Sequence, residues 1–245
     1  MREISQNAVL RTAEPVSART LLINACTLSC IAGFVDTCVF VGMFGLFTAH
    51  ITGNLALIGA ELVRHSGDVL AKLLALPVFV AAIVLTVLAT DSRRRAGHSS
   101  VAPLLCAEAA LLILTIVMSV AFGPVLRPDA PWTVIAGMFA VGAMGLQNAL
   151  MRIELLSLPA TTVMTVNVTQ TVIDALAIVM HRADSATDVE HLEQARRRFK
   201  RMWPPILAFA LGAAFGAVGY AWLRLDALIC PAILCLALAA RMPRR

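Results

Sequence analysis

The feature that most constrains this chain is a series of apolar runs, several of them close to 20 residues long. A helix of about 20 residues spans the roughly 30 Å apolar core of a bilayer and satisfies its own backbone hydrogen bonds there. The runs cover approximately 21–40, 41–63, 73–90, 101–123, 133–151, 159–180, 204–223 and 225–240. The sequence therefore predicts an all-α, polytopic helical membrane protein.

The composition excludes the soluble alternative. Hydrophobic residues make up 59% of the 245 residues and charged residues only 14%, and the mean hydropathy is +0.82. A soluble domain of this size would carry more charge on its surface. The net charge of +5 comes from basic residues in loops and at the termini, which is typical of membrane topology. We expect no nucleic-acid partner.

Two halves of the chain repeat the same motifs in the same order. In the first half, "GFVD" (33–36) is followed by "TGN" (52–54). In the second half, "GLQN" (145–148) is followed by "TVN" (165–167). An acid then follows nine residues beyond the threonine in each half, namely Glu61 and Asp174. This order predicts an internal duplication.

The relation between the halves depends on the second and sixth runs. If both span, the chain has eight spans in parallel halves, with 15 basic residues inside and 5 outside. If both are broken or re-entrant, six helices span in an inverted repeat, with 16 inside and 4 outside. The arginine triplet at 93–95 lies inside only in the second arrangement, and the two runs carry polar residues typical of broken helices. We therefore predict about six spanning helices and two broken or re-entrant segments.

These features divide the chain into regions. Residues 1–20 are a predicted cytoplasmic tail, 21–123 the first membrane repeat and 132–241 the second. Within the second repeat, 181–203 is a predicted basic amphipathic cytoplasmic loop, since apolar residues recur there at helical spacing opposite arginines. Such a helix could lie on anionic lipid, and a solvated charged linker is the alternative.

Three acids lie within apolar runs, where an ionised side chain costs several kcal/mol unless it is paired or hydrated. They are Asp36, Glu108 and Asp174. Lysine and arginine are absent from the middle of every run, so we expect none of the three acids to have a basic partner. Each is then a protonated carboxyl bonded to a neighbouring helix, or a hydrated group that meets a cation or a substrate amine. For Glu108, alone among aliphatic residues, the structural role is preferred.

The stretch "TAHITGN" (48–54) places polar residues and Gly53 inside an apolar run. A helix broken at this depth needs protein or water to satisfy its backbone. We expect "TAHITGN" and "TTVMTVN" (161–167) to meet at mid-membrane, with Thr52 and Thr165 within roughly 20 Å, about two helix diameters. His50 is a candidate for proton relay or a hydrogen-bonded interior histidine. The candidate substrate- or ion-binding residues are Asp36, His50, Thr52, Asn54, Gln147, Asn148, Thr165, Asn167 and Asp174.

Two long blocks carry a resemblance to a known family. "GFVDTCVFVGMFGLFTAHITGNLALIGAEL" (33–62) and "GAMGLQNALMRIELLSLPATTVMTVNVTQ" (142–170) resemble the two signatures of the YoaK-type family of bacterial membrane proteins. The resemblance implies an inner-membrane protein with about six helices and an unknown function. Val166 stands where that family tends to keep a glycine, so we expect a less sharp break in the second half than in the first.

Two functions remain open from the sequence. The first is a small secondary transporter or channel for a small solute or cation, with a polar site between the repeats. The second is a non-transporting scaffold or regulator that binds a partner through 181–203. No nucleophile–base signature, metal motif or phosphate loop is present, so we expect no enzyme, cofactor or metal. The expected partners are the lipid bilayer and the solute, with a homo-oligomer left open. The expected location is the bacterial inner membrane, with both termini cytoplasmic.

Overall fold

The computed structural model describes residues 17–64, 69–123, 127–128, 130–155, 164–180 and 186–242. These residues form an all-α fold, as predicted. The eight described α-helices are α1 (Ala18–Gly42), α2 (Ile51–Arg64), α3 (Leu70–Arg95), α4 (Val101–Ala121), α5 (Pro131–Ile153), α6 (Met164–Met180), α7 (Ala186–Leu223) and α8 (Ile229–Arg241). A short 3-10 helix, Arg224–Leu228, joins α7 to α8.

Five described segments are long and apolar enough to cross a membrane. Four are α1, α3, α4 and α5, and the fifth is the 54-residue segment Asp188–Arg241, which contains most of α7 and all of α8. The expected count was six, and the difference arises because α8 is only 13 residues long and continues from α7. The second and sixth apolar runs form the shorter helices α2 and α6, where the sequence predicted interrupted segments.

The chain reverses direction at residues with left-handed backbone. After α1 ends, Phe44 and Gly45 have positive φ angles of 52° and 79°, and residues 46–50 return alongside α1. Between α7 and α8 the same role falls to Arg224, at φ 56°. The apolar stretch 204–240 therefore does not form one continuous rod.

One apolar cluster defines what we call the proximal end of the bundle, the end where α1 begins. It joins Leu28 near the start of α1, Leu105 near the start of α4, Leu150 near the end of α5 and Leu238 near the end of α8. At the opposite, distal end, Gly42 at the end of α1 lies against Tyr220 near the end of α7. Helices α1, α4 and α7 thus run from proximal to distal, and α5 and α8 run back.

Helix α3 completes this alternation. Near its start, the Lys72 ammonium donates to the Phe44 carbonyl, just beyond the end of α1, at 2.7 Å. At its end, Arg94 pairs with Glu154, beside the end of α5, at 3.4 Å. Six helices therefore alternate in direction. Along the chain, helix α2 connects the distal ends of α1 and α3, and helix α6 connects the proximal ends of α5 and α7.

The closest helix packing depends on glycines. A Cβ atom at Gly33 of α1 would overlap the Phe209 carbonyl oxygen of α7, and one at Gly212 of α7 would overlap the Cys30 carbonyl of α1. On the other side of the bundle, a Cβ at Gly145 of α5 would lie 2.9 Å from Ala82 of α3. Small residues let membrane helices approach closely and gain dispersion energy.

Candidate functional site

Asp36 is buried in α1, six residues before that helix ends, and its carboxylate holds the returning chain. Oδ1 accepts hydrogen bonds from the Thr48 amide at 2.8 Å, the Thr48 hydroxyl at 3.0 Å and the Ala49 amide at 2.8 Å. These donors immediately precede α2. Asp36 therefore provides an acceptor for backbone amides that lie outside a regular helix and inside the apolar bundle.

His50 occupies the second oxygen of the same carboxylate. Its Nδ1 lies 2.6 Å from Asp36 Oδ2, and its side chain is 39% exposed whereas that of Asp36 is 5% exposed. The imidazole packs near Phe47 and edge-on to Phe209 of α7, with ring centroids 5.6 and 6.1 Å away. With Nδ1 held by the carboxylate, Nε2 is the nitrogen left to exchange a proton on the exposed side.

Asn54 fixes the other side of the loop that precedes α2. Its side-chain amide donates to the Phe47 carbonyl at 2.8 Å, and its side-chain oxygen accepts from the Phe47 amide at 2.9 Å. Asn54 is fully buried. Asp36 and Asn54 together thus satisfy the three amides of residues 47–49 and the Phe47 carbonyl, which explains why these two polar residues stand in apolar runs.

A buried ion pair, which the sequence reasoning missed, ties α2 to α3. The Lys72 ammonium lies 2.7 Å from Glu61 Oε1, and the Lys72 side chain is only 2% exposed. Lys72 stood one residue before an apolar run and was counted among the basic residues at the outer edge. The available signal was Glu61, an acid whose position recurs in the second half as Asp174.

Asp174 has a basic partner, so the expectation of three unpartnered acids is wrong for this residue. The Arg198 guanidinium donates to both carboxylate oxygens, at 2.9, 3.2 and 3.3 Å, and Gln170 donates to Oδ1 at 3.0 Å. Arg198 lies in the stretch predicted as a cytoplasmic loop. It reaches Asp174 because residues 186–203 form the first half of α7, and α6 packs against that helix.

Glu108 is fully buried in α4, and neither carboxyl oxygen has a hydrogen-bond partner among the described residues. The Cys235 thiol of α8 faces it. No basic side chain pairs with Glu108 in the part of the chain that the structure describes.

The remaining candidates lie at several places. Gln147 is buried and donates to the Leu28 carbonyl of α1 at 3.0 Å, so it joins α5 to α1. Asn148 is half-buried beside it. Asn167 is buried, whereas Thr52 and Thr165 are exposed.

The structure brings Asp36, His50 and Asn54 together around one loop, while the described bonds of Asp174 lie at the contact of α6 with α7. Within the described residues, the main helix contacts join α2 to α3 and α6 to α7 rather than α2 to α6. Residues 161–163 lie outside the described residues. A single site between the halves, and the meeting of the two motifs, stay predictions.

The fold and the burial pattern define an α-helical, multi-pass membrane protein. Its exposed surface is rich in large apolar side chains along the spans, whereas Asp36, Asn54, Glu108, Gln147 and Asp174 are buried. The chain belongs to a family of proteins of unknown function (DUF1275), whose profile matches residues 24–241. Searches of curated proteins and of solved structures found no match.

Proposed function

We propose that this protein is a small secondary transporter built from an inverted repeat. The observation that carries the proposal is that the helix contacts of the two halves correspond. Helix α1 packs on α7 as α5 packs on α3, α2 packs on α3 as α6 packs on α7, and α1 lies against α8 as α5 lies against α4. Exchanging the two halves converts the contact of α4 with α8 into itself, as expected for two helices that pack across a two-fold axis.

The side chains support the same correspondence. Gly33 and Gly145 hold equivalent positions in the repeated motif, and each lies against the helix expected from the exchange, α7 and α3 respectively. Glu61 and Asp174 are also equivalent, and each forms an ion pair with the helix that follows, through Lys72 and Arg198. Inverted repeats with interrupted helices are typical of secondary transporters.

The proposed topology places the proximal end in the cytoplasm of a bacterial cell. The arginines at 93–95 lie at the proximal end, and α1 begins and α8 ends there. Six helices then cross the inner membrane, α2 enters from the outside and α6 from the inside. The positive-inside rule supports this orientation, because the densest charge in a short loop falls on the cytoplasmic side.

The proposed transport is coupled to protons through Asp36 and His50. This pair lies at the start of the half-spanning helix α2, and the half-exposed imidazole connects a buried carboxylate to its surroundings. Histidine is the side chain whose ordinary pKa lies closest to neutrality, which suits it to proton exchange. Because Asp36 and Asp174 both have partners, neither is an unpaired acid that requires a bound cation. Exchange or cotransport of a small solute with a proton is more consistent with these paired acids than transport of a cation.

The two ion pairs give the proposal a mechanism. Glu61–Lys72 lies on the distal side, where Lys72 is 2% exposed, whereas Asp174–Arg198 lies on the proximal side, where Arg198 is 49% exposed. A transporter alternates access by opening one side while the other is closed. In the proposed mechanism, the buried distal cation and the half-exposed proximal cation belong to a state that is closed on the distal side and open on the proximal side.

Flux measurements on purified protein test the proposal. The protein would be reconstituted into liposomes that contain a pH-sensitive dye, and a panel of small amines, organic acids, sugars and metabolite-like amides would be added outside. We expect at least one solute to drive a pH change that His50→Gln abolishes and that His98→Gln, at an exposed position between α3 and α4, preserves. Absence of flux across the panel, with correctly folded protein, would favour the scaffold that binds a partner through 181–203.

A further inference from the structure

An open-sided groove of about 440 Å³ runs between α3, α4 and α5. Its walls are aliphatic apart from Phe139, Met138 and Thr86, and the Thr86 hydroxyl is bonded to the Ala82 carbonyl at 2.7 Å. The size falls within the range of small-ligand sites. Because α3 and α4 are both long apolar helices, the groove faces the bilayer and offers no unsatisfied polar group along its wall.

The groove leads to a positive charge at the proximal end. On α3 its wall follows one helix face through Ala82, Thr86 and Ala89, and Arg93 lies on that face one turn further on. Arg93 Nε donates to the Ser99 carbonyl at 3.0 Å, just before α4 begins. Leu104, one turn into α4, lines the groove on the opposite side. This bond holds the guanidinium between the end of α3 and the start of α4, one helical turn beyond the groove wall.

The charge of Arg93 is not compensated within the described residues. Its neighbours have acidic partners: Arg94 lies 3.4 Å from Glu154, and Arg95 lies 2.6 Å from Asp91. Arg93 bonds only to a neutral carbonyl and forms no ion pair in the described part of the chain. An anion beside Arg93 would therefore meet a guanidinium with free donors, a group well suited to phosphate.

Two buried hydroxyls near the proximal end of the groove also have no partner. Thr90, next to Ala89 on α3, and Ser100, one turn before Leu104, are both almost fully buried. Neither hydroxyl has a hydrogen-bond partner among the described residues. Buried hydroxyls left without partners are unusual in proteins and call for an explanation such as a bound group.

We propose that this groove is a binding site for an anionic phospholipid of the leaflet at the proximal end, which is the cytoplasmic leaflet in the proposed topology. One acyl chain lies along α3, α4 and α5, and the phosphate lies against Arg93, with the hydroxyls of Thr90 and Ser100 close to the headgroup. Neither the apolar groove nor the arginine alone defines the ligand, but their succession on one helix face matches an amphiphile with an anionic head. The site does not depend on transport.

Native mass spectrometry of the full chain in detergent tests the site. The probes are dioleoyl phosphatidylglycerol and dioleoyl phosphatidylcholine, which share acyl chains and differ in headgroup charge. We expect one phosphatidylglycerol to be retained per chain in preference to phosphatidylcholine. Since a basic residue near anionic lipid contributes about 1 kcal/mol, Arg93→Gln should weaken phosphatidylglycerol binding about fivefold. Arg93→Lys, which keeps the charge, should retain most of it.

Matched controls distinguish binding at this site from attraction to the overall positive charge and from non-specific apolar binding. Arg196→Gln removes an exposed proximal arginine on α7 and should leave phosphatidylglycerol retention unchanged. Ala89→Leu fills the groove from an exposed position on α3 and should weaken both lipids. Val87→Leu, also exposed on α3 but outside the groove, should weaken neither.

Three results would overturn the proposal. Equal retention of the two lipids by the unmodified protein would remove the headgroup preference. An equal loss in Arg93→Gln and Arg196→Gln would show attraction by overall charge. Displacement of the lipid by millimolar inorganic phosphate would assign Arg93 to a free anion.

Discussion

Asp36 Oδ2 lies 2.6 Å from His50 Nδ1, while Asp36 Oδ1 accepts three further hydrogen bonds from Thr48 and Ala49. One buried carboxylate therefore closes the loop before α2 and fixes the orientation of the imidazole. The same residue is at once a structural anchor and the partner of the proposed proton-exchanging group. Substitutions at this position can separate the two roles.

The first prediction concerns a graded series at this anchor. Asp36→Ala leaves two backbone amides without an acceptor and should lower the free energy of unfolding by about 2–6 kcal/mol, since each buried unsatisfied group costs about 1–3 kcal/mol. Thr48→Val removes only the hydroxyl bond and should cost about 1 kcal/mol. Asp36→Asn keeps Oδ1 as an acceptor and should fall between them. Unfolding in detergent with increasing SDS measures the order, and a stable Asp36→Ala protein would contradict it.

A second prediction uses the amide of Asn54, which both donates to and accepts from Phe47. Asn54→Asp keeps the acceptor but places a second oxygen against the Phe47 carbonyl. Asn54→Ala disrupts two buried groups and should lower the free energy of unfolding by about 2–4 kcal/mol. We expect Asn54→Asp to lower it by at least as much. Thermal unfolding monitored by circular dichroism would reveal the order. If Asn54→Asp matched the unmodified protein, the assigned amide orientation would be wrong.

The third prediction compares the two ion pairs. Lys72 is buried, so Lys72→Met leaves Glu61 without its cation and should cost about 3–5 kcal/mol. Arg198 is half-exposed, so water can replace it more readily, and Arg198→Met should cost less, about 1–2 kcal/mol. Double-mutant cycles with Glu61→Gln and Asp174→Asn measure both couplings. Equal couplings in the two cycles would argue against the difference between the distal and proximal sides.

Topology provides the fourth prediction. In a background without the six native cysteines, His98→Cys should resist an impermeant maleimide applied to intact cells and react in inverted vesicles. Arg127→Cys, in the loop between α4 and α5, should show the reverse. Eight spans in parallel halves would exchange the two results, because both loops would then change sides.

The fifth prediction tests the close contact of α1 with α7. A Cβ at Gly212 would overlap the Cys30 carbonyl, so Gly212→Ala must separate two backbones and should cost about 1–3 kcal/mol. The control is Gly59→Ala in α2, where a Cβ meets nothing within 4 Å. That change should be neutral or stabilise the protein by about 0.5–1 kcal/mol, because alanine is the better helix former. SDS unfolding of both variants provides the comparison.

The sequence by itself determined the class of this protein and the places where its helices are interrupted. Apolar length decides whether a segment can span, because a helix in lipid must satisfy its backbone internally. For that reason, the runs at 21–40 and 101–123 correspond closely to α1 and α4. The polar residues of "TAHITGN" marked a break that the structure places between α1 and α2.

Only the tertiary structure decided which buried charges have partners. Asp174 meets Arg198, and Glu61 meets Lys72, because α6 and α2 each pack against the next helix along the chain. Such pairs depend on which helix faces meet and on how far a long basic side chain reaches. The hydropathy of a segment indicates neither which helix faces meet nor how far a side chain reaches. The sequence located the acids, and the packing of the helices assigned their partners.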